Sequence, residues 1–182
     1  HRFALNTRRF GFTLVHNKHV FIGSLLVINP LFDKLFAPHI GSTATFLILP
    51  NGDQISYNSF LGQTAQYANV IRDSGLEVGD RLAVQIEKSP EALAVYAACA
   101  LTGTVFLPLN TAYAPAELSY FLNDSSARLF LCDPKNYSAL KAITQTAGAQ
   151  ILTLGSNGEG SFADAASTKP KTCRIAQRSS RD

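Results

Sequence analysis

Catalysis and ligand binding need donors, nucleophiles or charges gathered in one place, and few residues of this 182-residue chain are spaced for that. The loop Gly155-Ser156-Asn157-Gly158-Glu159-Gly160-Ser161 has the glycine content of a backbone cradle for a phosphate. It matches neither G-x-x-x-x-G-K-S/T nor G-x-G-x-x-G, and Glu159 would repel the anion, so it reads as a connector. Asn110 and Tyr113 follow an apolar strand, at the end where open α/β sheets place ligands, and are the best local candidates for lining a pocket. An Asn closing a turn and a Tyr packed on the next helix explain both without a ligand. Glu87-Lys88 also follows a strand, where an exposed ion pair or a helix-entry turn is the plainer reading. His1, His16 and His19 lie in the first 28 residues and His39 follows Pro38; none has a Ser, Cys or Asp partner at interpretable spacing for a triad or a metal centre. Cys99, Cys132 and Cys173 are odd in number and lack metal-ligand spacing, which fits reduced, structural thiols in a reducing compartment. No residue is therefore assigned as catalytic, cofactor-binding or metal-ligating.

The elements that would position these residues are legible. From Asn29 the pattern becomes orderly, and Leu31, Phe32, Leu35 and Phe36 make one helical stripe. Phe46 to Leu49, the turn Pro50-Asn51-Gly52-Asp53 and Gln54-Ile55-Ser56 read as a β-hairpin, with Asn-Gly supplying positive φ angles. Tyr57, Phe60, Leu61, Thr64, Ala65, Ala68 and Ile71 mark a long helix ending near Gly75. Leu82, Val84 and Ile86 form a strand. Ser89-Pro90-Glu91 then opens a helix with a capping hydroxyl, a proline whose missing N–H costs nothing there and an acid at the positive helix end; Gly103 stops it. Val105 to Leu109 is an apolar run of the kind buried on both faces of a parallel sheet, with Pro108 at its end. Pro115 opens a helix with Leu118, Phe121 and Leu122 on one face. Leu129 to Cys132 is a strand, Asp133-Pro134 starts a helix faced by Tyr137, Leu140 and Ile143, and Ile151 to Leu154 is a last strand. The alternation predicts an α/β fold: a mainly parallel sheet with helices on both faces.

Leu101-Thr102-Gly103-Thr104-Val105-Phe106-Leu107-Pro108-Leu109-Asn110 resembles an early motif of adenylate-forming enzymes, the superfamily of acyl-CoA synthetases, luciferases and peptide-synthetase adenylation domains. Glu87-Lys88-Ser89, Asn110-Thr111-Ala112-Tyr113, Glu117-Leu118 and Tyr120-Phe121 resemble the malonyl-CoA synthetase branch. The resemblance implies that the fold is part of the amino-terminal domain of such an enzyme. It also implies an activity that uses ATP and Mg to join a carboxylate to AMP, releasing pyrophosphate, and then passes the acyl group to the thiol of CoA. The family's Ser/Thr/Gly-rich phosphate loop, nucleotide and metal ligands and catalytic lysine lie beyond the matched region. Arg178 to Asp182 resembles the segment just before that loop. The expectation is a truncated acid–CoA ligase acting on malonate or a similar short dicarboxylate, inactive alone and binding ATP, Mg and CoA only as part of the longer enzyme. The competing class is a stand-alone α/β module that binds a small ligand, or a partner, without catalysis.

Composition limits the partners. Hydrophobic residues at 46% and charged residues at 16% fit a globular core. The net charge of +3 is uneven: residues 1–32 hold four basic residues and no acid, and residues 168–182 hold five against Asp182, leaving seven basic and twelve acidic residues between. The central part is acidic and carries no nucleic-acid footprint. The longest apolar run, Val20 to Ile28, is far short of the ~20 residues that span a bilayer. Three segments are expected: residues 1–28 as a basic leader, disordered or targeting; 29–167 as the α/β subdomain; 168–182 as a basic tail. A cytoplasmic location is expected, or the mitochondrial matrix if the leader is a presequence.

Overall fold

The computed structural model describes residues 29–178. The expectation of a leader over 1–28 therefore lies outside the described residues. The chain opens with helix α1 (Pro30–Leu35), a short 3-10 turn (Ala37–His39) and the antiparallel hairpin β1 (Thr45–Ile48) and β2 (Gln54–Ser56). There follow α2 (Tyr57–Asp73), β3 (Arg81–Gln85), α3 (Pro90–Thr102), β4 (Val105–Pro108), α4 (Pro115–Ser125) and β5 (Leu129–Cys132). A 3-10 turn then leads into α5 (Tyr137–Thr146), β6 (Gln150–Thr153) and α6 (Ser161–Ser167).

Local chemistry sets most boundaries. The Ser56 hydroxyl accepts from the amide of Ser59 at 3.2 Å to start α2, and Ser89 accepts from Ala92 at 3.1 Å to start α3. Gly103 ends α3 at φ +75°, in the left-handed region where a side chain is disfavoured. Glu117 reaches back to accept from the Ala114 amide at 2.8 Å at the head of α4.

β4, β3, β5 and β6 form, in that order, a four-stranded parallel sheet. Strand alternation divides the core in two. Leu82, Val84, Leu129 and Leu131 face one layer with Phe32, Phe60, Ile71, Val95, Cys99 and Phe162 of α1, α2, α3 and α6. Ala83, Phe130 and Cys132 face the other, with Leu118, Leu122 and Leu140 of α4 and α5. Both faces are covered, as an all-parallel sheet requires.

Two expectations need correction, and one helix was not expected. The run expected to be buried on both faces, Val105 to Leu109, holds the edge strand β4 (Val105–Pro108), with Val105 42% exposed; β5, at an inner position, is the strand buried at every residue. A proline is tolerated at such an edge because no inner-ladder bond is lost. In the hairpin only Gly52, at φ +89°, adopts a positive φ and Asn51 does not: Gly52 donates to the Leu49 carbonyl at 2.8 Å, and the Leu49 amide donates to Asp53 at 2.8 Å. Helix α6 was unanticipated, although its Phe162 is fully buried against Tyr67 at 4.9 Å between ring centres. The short polar stretch around it gave no helical period.

Candidate strand-end site

The carboxyl ends of β3, β4, β5 and β6 lie on one edge of the sheet. α3, which links β3 to β4, packs in one core layer, whereas α5, which links β5 to β6, packs in the other. Connections therefore diverge between β3 and β5, where an open α/β sheet leaves its ligand crevice. Gln85 and Cys132 stand opposite each other at that point.

Gln85 was not singled out by sequence reasoning, yet it organises this edge. It is 2% exposed and its side-chain nitrogen donates to the Asn110 carbonyl at 2.9 Å, tying the ends of β3 and β4 together. A glutamine within the apolar run Leu82 to Ile86 was the signal that could have found it, since a buried carboxamide must find a partner.

Asn110 and Tyr113 sit at the end of β4, but as structural groups. Asn110 accepts from the Ala112 amide at 2.9 Å through its side chain, and its carbonyl accepts from Tyr113 at 3.1 Å. Tyr113 stacks on Phe121 at 5.0 Å. Glu87 and Lys88 are exposed in the turn before the Ser89 cap. Asp133, after β5, accepts from the Lys135 amide at 3.0 Å and pairs with its ammonium at 3.2 Å. These groups form a polar rim without a nucleophile set against a base.

The Gly155–Gly160 loop is closed on itself. Its Glu159 carboxylate accepts from the Asn157 amide at 3.0 Å, while Gly155 donates to the Glu159 carbonyl at 2.8 Å and Gly158 to the Gly155 carbonyl at 3.2 Å. One of these loop amides thus goes to the carboxylate and two to main-chain carbonyls, as in a connector rather than an anion cradle. Thr153 and Ser161 lock the loop ends: the Thr153 amide donates to the Ser161 hydroxyl at 3.0 Å, and the Ser161 amide to the Thr153 hydroxyl at 2.9 Å. Gly160 is required there, because at φ +116° a Cβ would lie 2.5 Å from the Thr153 carbonyl oxygen. Beside this loop, one carboxylate oxygen of Glu91 is buried without a partner. Burial pushes the Tyr67 hydroxyl up to about 12, the Glu91 charge adds to the rise, and a hydrogen bond from Gln63 opposes it.

His39 stacks on Tyr57 at 4.1 Å, and no group of His, Cys, Asp and Glu that could hold a metal occurs among the described residues. The three cysteines are free, with Cys99 and Cys132 buried. Burial raises the Cys99 thiol to about 12 against a hydrogen bond with Thr104, and burial with the Asp133 charge raises Cys132 to about 12. Such thiols are inert as nucleophiles. No described helix is long and apolar enough to cross a membrane.

The described residues do not fit ATP or Mg by themselves. The one glycine-rich loop is filled by its own acid, and the acids at the strand ends do not converge.

Residues 38–179 match the family model described as AMP-binding enzyme. MatB from Rhodopseudomonas palustris, in its apo crystal structure, is 41% identical with a TM-score of 0.75, over 84% of this chain and 30% of the MatB chain. Its ATP-bound structure matches at 41% identity and a TM-score of 0.76, over 85% of this chain and 30% of MatB. A feruloyl-CoA synthase from an Amycolatopsis species is 32% identical over 92 residues, which are 50% of this chain and 19% of that protein. The chain thus spans less than a third of the length of each of these relatives.

Proposed function

The chain belongs to the AMP-binding enzyme family, and from that premise we propose that it forms the first α/β unit of an ATP-dependent acid–CoA ligase acting on malonate or a similar short dicarboxylate. The observation that carries the reading is the 41% identity to R. palustris MatB over 84% of the chain, with the fold retained. The narrower choice of acid is supported by residues 87–121, which resemble malonyl-CoA synthetases.

In the proposed reaction the acid attacks the α-phosphate of ATP to give an acyl-adenylate and pyrophosphate, and the CoA thiol then displaces AMP. ATP, with Mg, would supply the adenylyl group, and CoA the accepting thiol. In this reading the described residues take part in neither step. They build the wall: the sheet, its two helix layers and the strand ends aligned by Gln85 and Asn110. Phosphate, metal and carboxylate ligands would come from the rest of the protein.

The test is acid-dependent exchange of labelled pyrophosphate into ATP by the intact protein that contains this chain, with malonate, methylmalonate, acetate and benzoate compared. Exchange greatest with malonate supports the reading. Exchange only with a monocarboxylate keeps the ligase and replaces the acid; none with any acid favours a binding module.

A further inference from the structure

Of the segment expected as a basic tail, residues 169–178 form a strap held by main-chain hydrogen bonds, by the Lys169–Asp73 ion pair at 2.6 Å and by packing of Cys173 and Ile175 on the core. Along α2, Gln66 donates to the Lys169 carbonyl at 3.0 Å, and Asn69 donates to the carbonyls of both Pro170 and Thr172 at 3.0 Å. Arg72 donates to the Arg174 carbonyl and, at 3.0 Å, to the Cys173 sulfur. These three residues recur every third position on one face of the helix. Beyond them the Ala176 amide donates to the Leu101 carbonyl at 2.9 Å, and Ala176 and Arg178 pass within 3.3 and 3.1 Å of where a Cβ of Gly103 would stand. Carbonyls at 169, 170, 172 and 174 are thus bonded one after another, with no strand ladder.

We propose that Gln66, Asn69 and Arg72 are positioning residues: a main-chain clamp that, beside the Lys169–Asp73 ion pair, sets the register of residues 169–174 and so fixes the path of the chain up to Arg178 relative to the sheet. The catalytic consequence rests on the ligase reading; the clamp itself does not. A side-chain donor aimed at a carbonyl holds backbone position independently of the sequence it holds. In an enzyme, misplacement of about 1 Å far from the reacting atoms can cost about a hundredfold in rate.

The test uses the intact protein with Asn69→Asp, which keeps the shape but cannot donate, Gln66→Glu as an independent variant, and Thr172→Ala as the side-chain control. Amide hydrogen exchange over 169–178 and tryptic cleavage after Lys171 and Arg174 are read at a temperature where circular dichroism shows every variant folded. Both donor variants should exchange and cleave about tenfold faster, Thr172→Ala as wild type. Acid-dependent pyrophosphate exchange per folded molecule should fall at least tenfold in kcat for Asn69→Asp, with KM for the acid within about twofold. Unchanged protection in both donor variants, or equal loss in Thr172→Ala, overturns the clamp. Lost protection with unchanged kcat overturns the positioning role and leaves a structural tie. Absence of exchange in the wild-type protein overturns the ligase reading and, with it, the catalytic part.

Discussion

Asn29 and Ala100 lie 71 residues apart in sequence and are joined by a 2.6 Å hydrogen bond from the Asn29 carboxamide to the Ala100 carbonyl. The same carboxamide nitrogen reaches the Ala176 carbonyl at 3.4 Å, and its oxygen accepts from the Phe32 amide at 3.1 Å. One side chain, 2% exposed, thereby caps α1, satisfies a carbonyl in the last turn of α3 and touches the strap.

Asn29→Ala should lower the unfolding free energy by about 2–4 kcal/mol, because it removes a cap and leaves buried carbonyls unpaired. Asn29→Asp keeps the cap acceptor but sets a carboxylate against the Ala100 and Ala176 carbonyls at a site 2% exposed, and should cost at least as much as Asn29→Ala. Urea unfolding of both variants checks the order; a loss in Asn29→Ala no larger than that of an exposed substitution would show that water replaces these bonds.

Gly103→Ala and Gly148→Ala separate backbone strain from packing. Both glycines are left-handed, at φ +75° and +73°, but only Gly103 has neighbours within 4 Å of its missing Cβ: Arg178, Val78 and Ala176 at 3.1–3.3 Å. Gly148→Ala should cost about 1 kcal/mol from conformation alone, and Gly103→Ala about 2–3 kcal/mol because the strap must shift as well. Paired denaturation curves give the difference.

Stability should fall at alkaline pH. The Cys99 thiol has its value raised by burial from 9.0 to about 12, so the folded state keeps a proton that the unfolded chain releases. The contribution is fully present below pH 9 and is lost as pH rises from 9 towards 12, at up to about 1.4 kcal/mol per pH unit for the single group. Cys99→Ala should flatten the slope in that window, and Tyr67→Phe should flatten it between 10 and about 12. Denaturant midpoints from pH 7 to 11 test this; an unchanged slope in Cys99→Ala would remove the thiol as its source.

Residues 1–182 expressed alone should show no pyrophosphate exchange with malonate and ATP above background. Stabilising a phosphoryl transition state needs a cation, a metal and backbone donors around the transferred group, and among the described residues the Gly155–Gly160 loop bonds its Gly155, Asn157 and Gly158 amides within itself. Measurable exchange would place a nucleotide site within this chain.

The sequence by itself determined what is decided within a few residues. Ser89 announced a helix start, Gly103 a helix stop and Pro50-Asn51-Gly52 a hairpin, since each acts on amides or φ angles no more than four positions away. The α/β class followed from helices alternating with apolar strands, and Asn110 and Tyr113 were rightly placed at a strand end. Only the tertiary structure decided strand order, which puts Val105 at an edge and Phe130 inside, because nothing local says which strand pairs with which. It also decided how the candidate site's polar atoms are used: Asn110 closes a turn, Gln85 bonds the Asn110 carbonyl and Glu159 fills its own loop. The long-range bonds of Asn29, Gln66, Asn69 and Arg72 carry no signature in sequence, because they end on main-chain carbonyls 71 to 147 residues away, and a carbonyl is the same at every position.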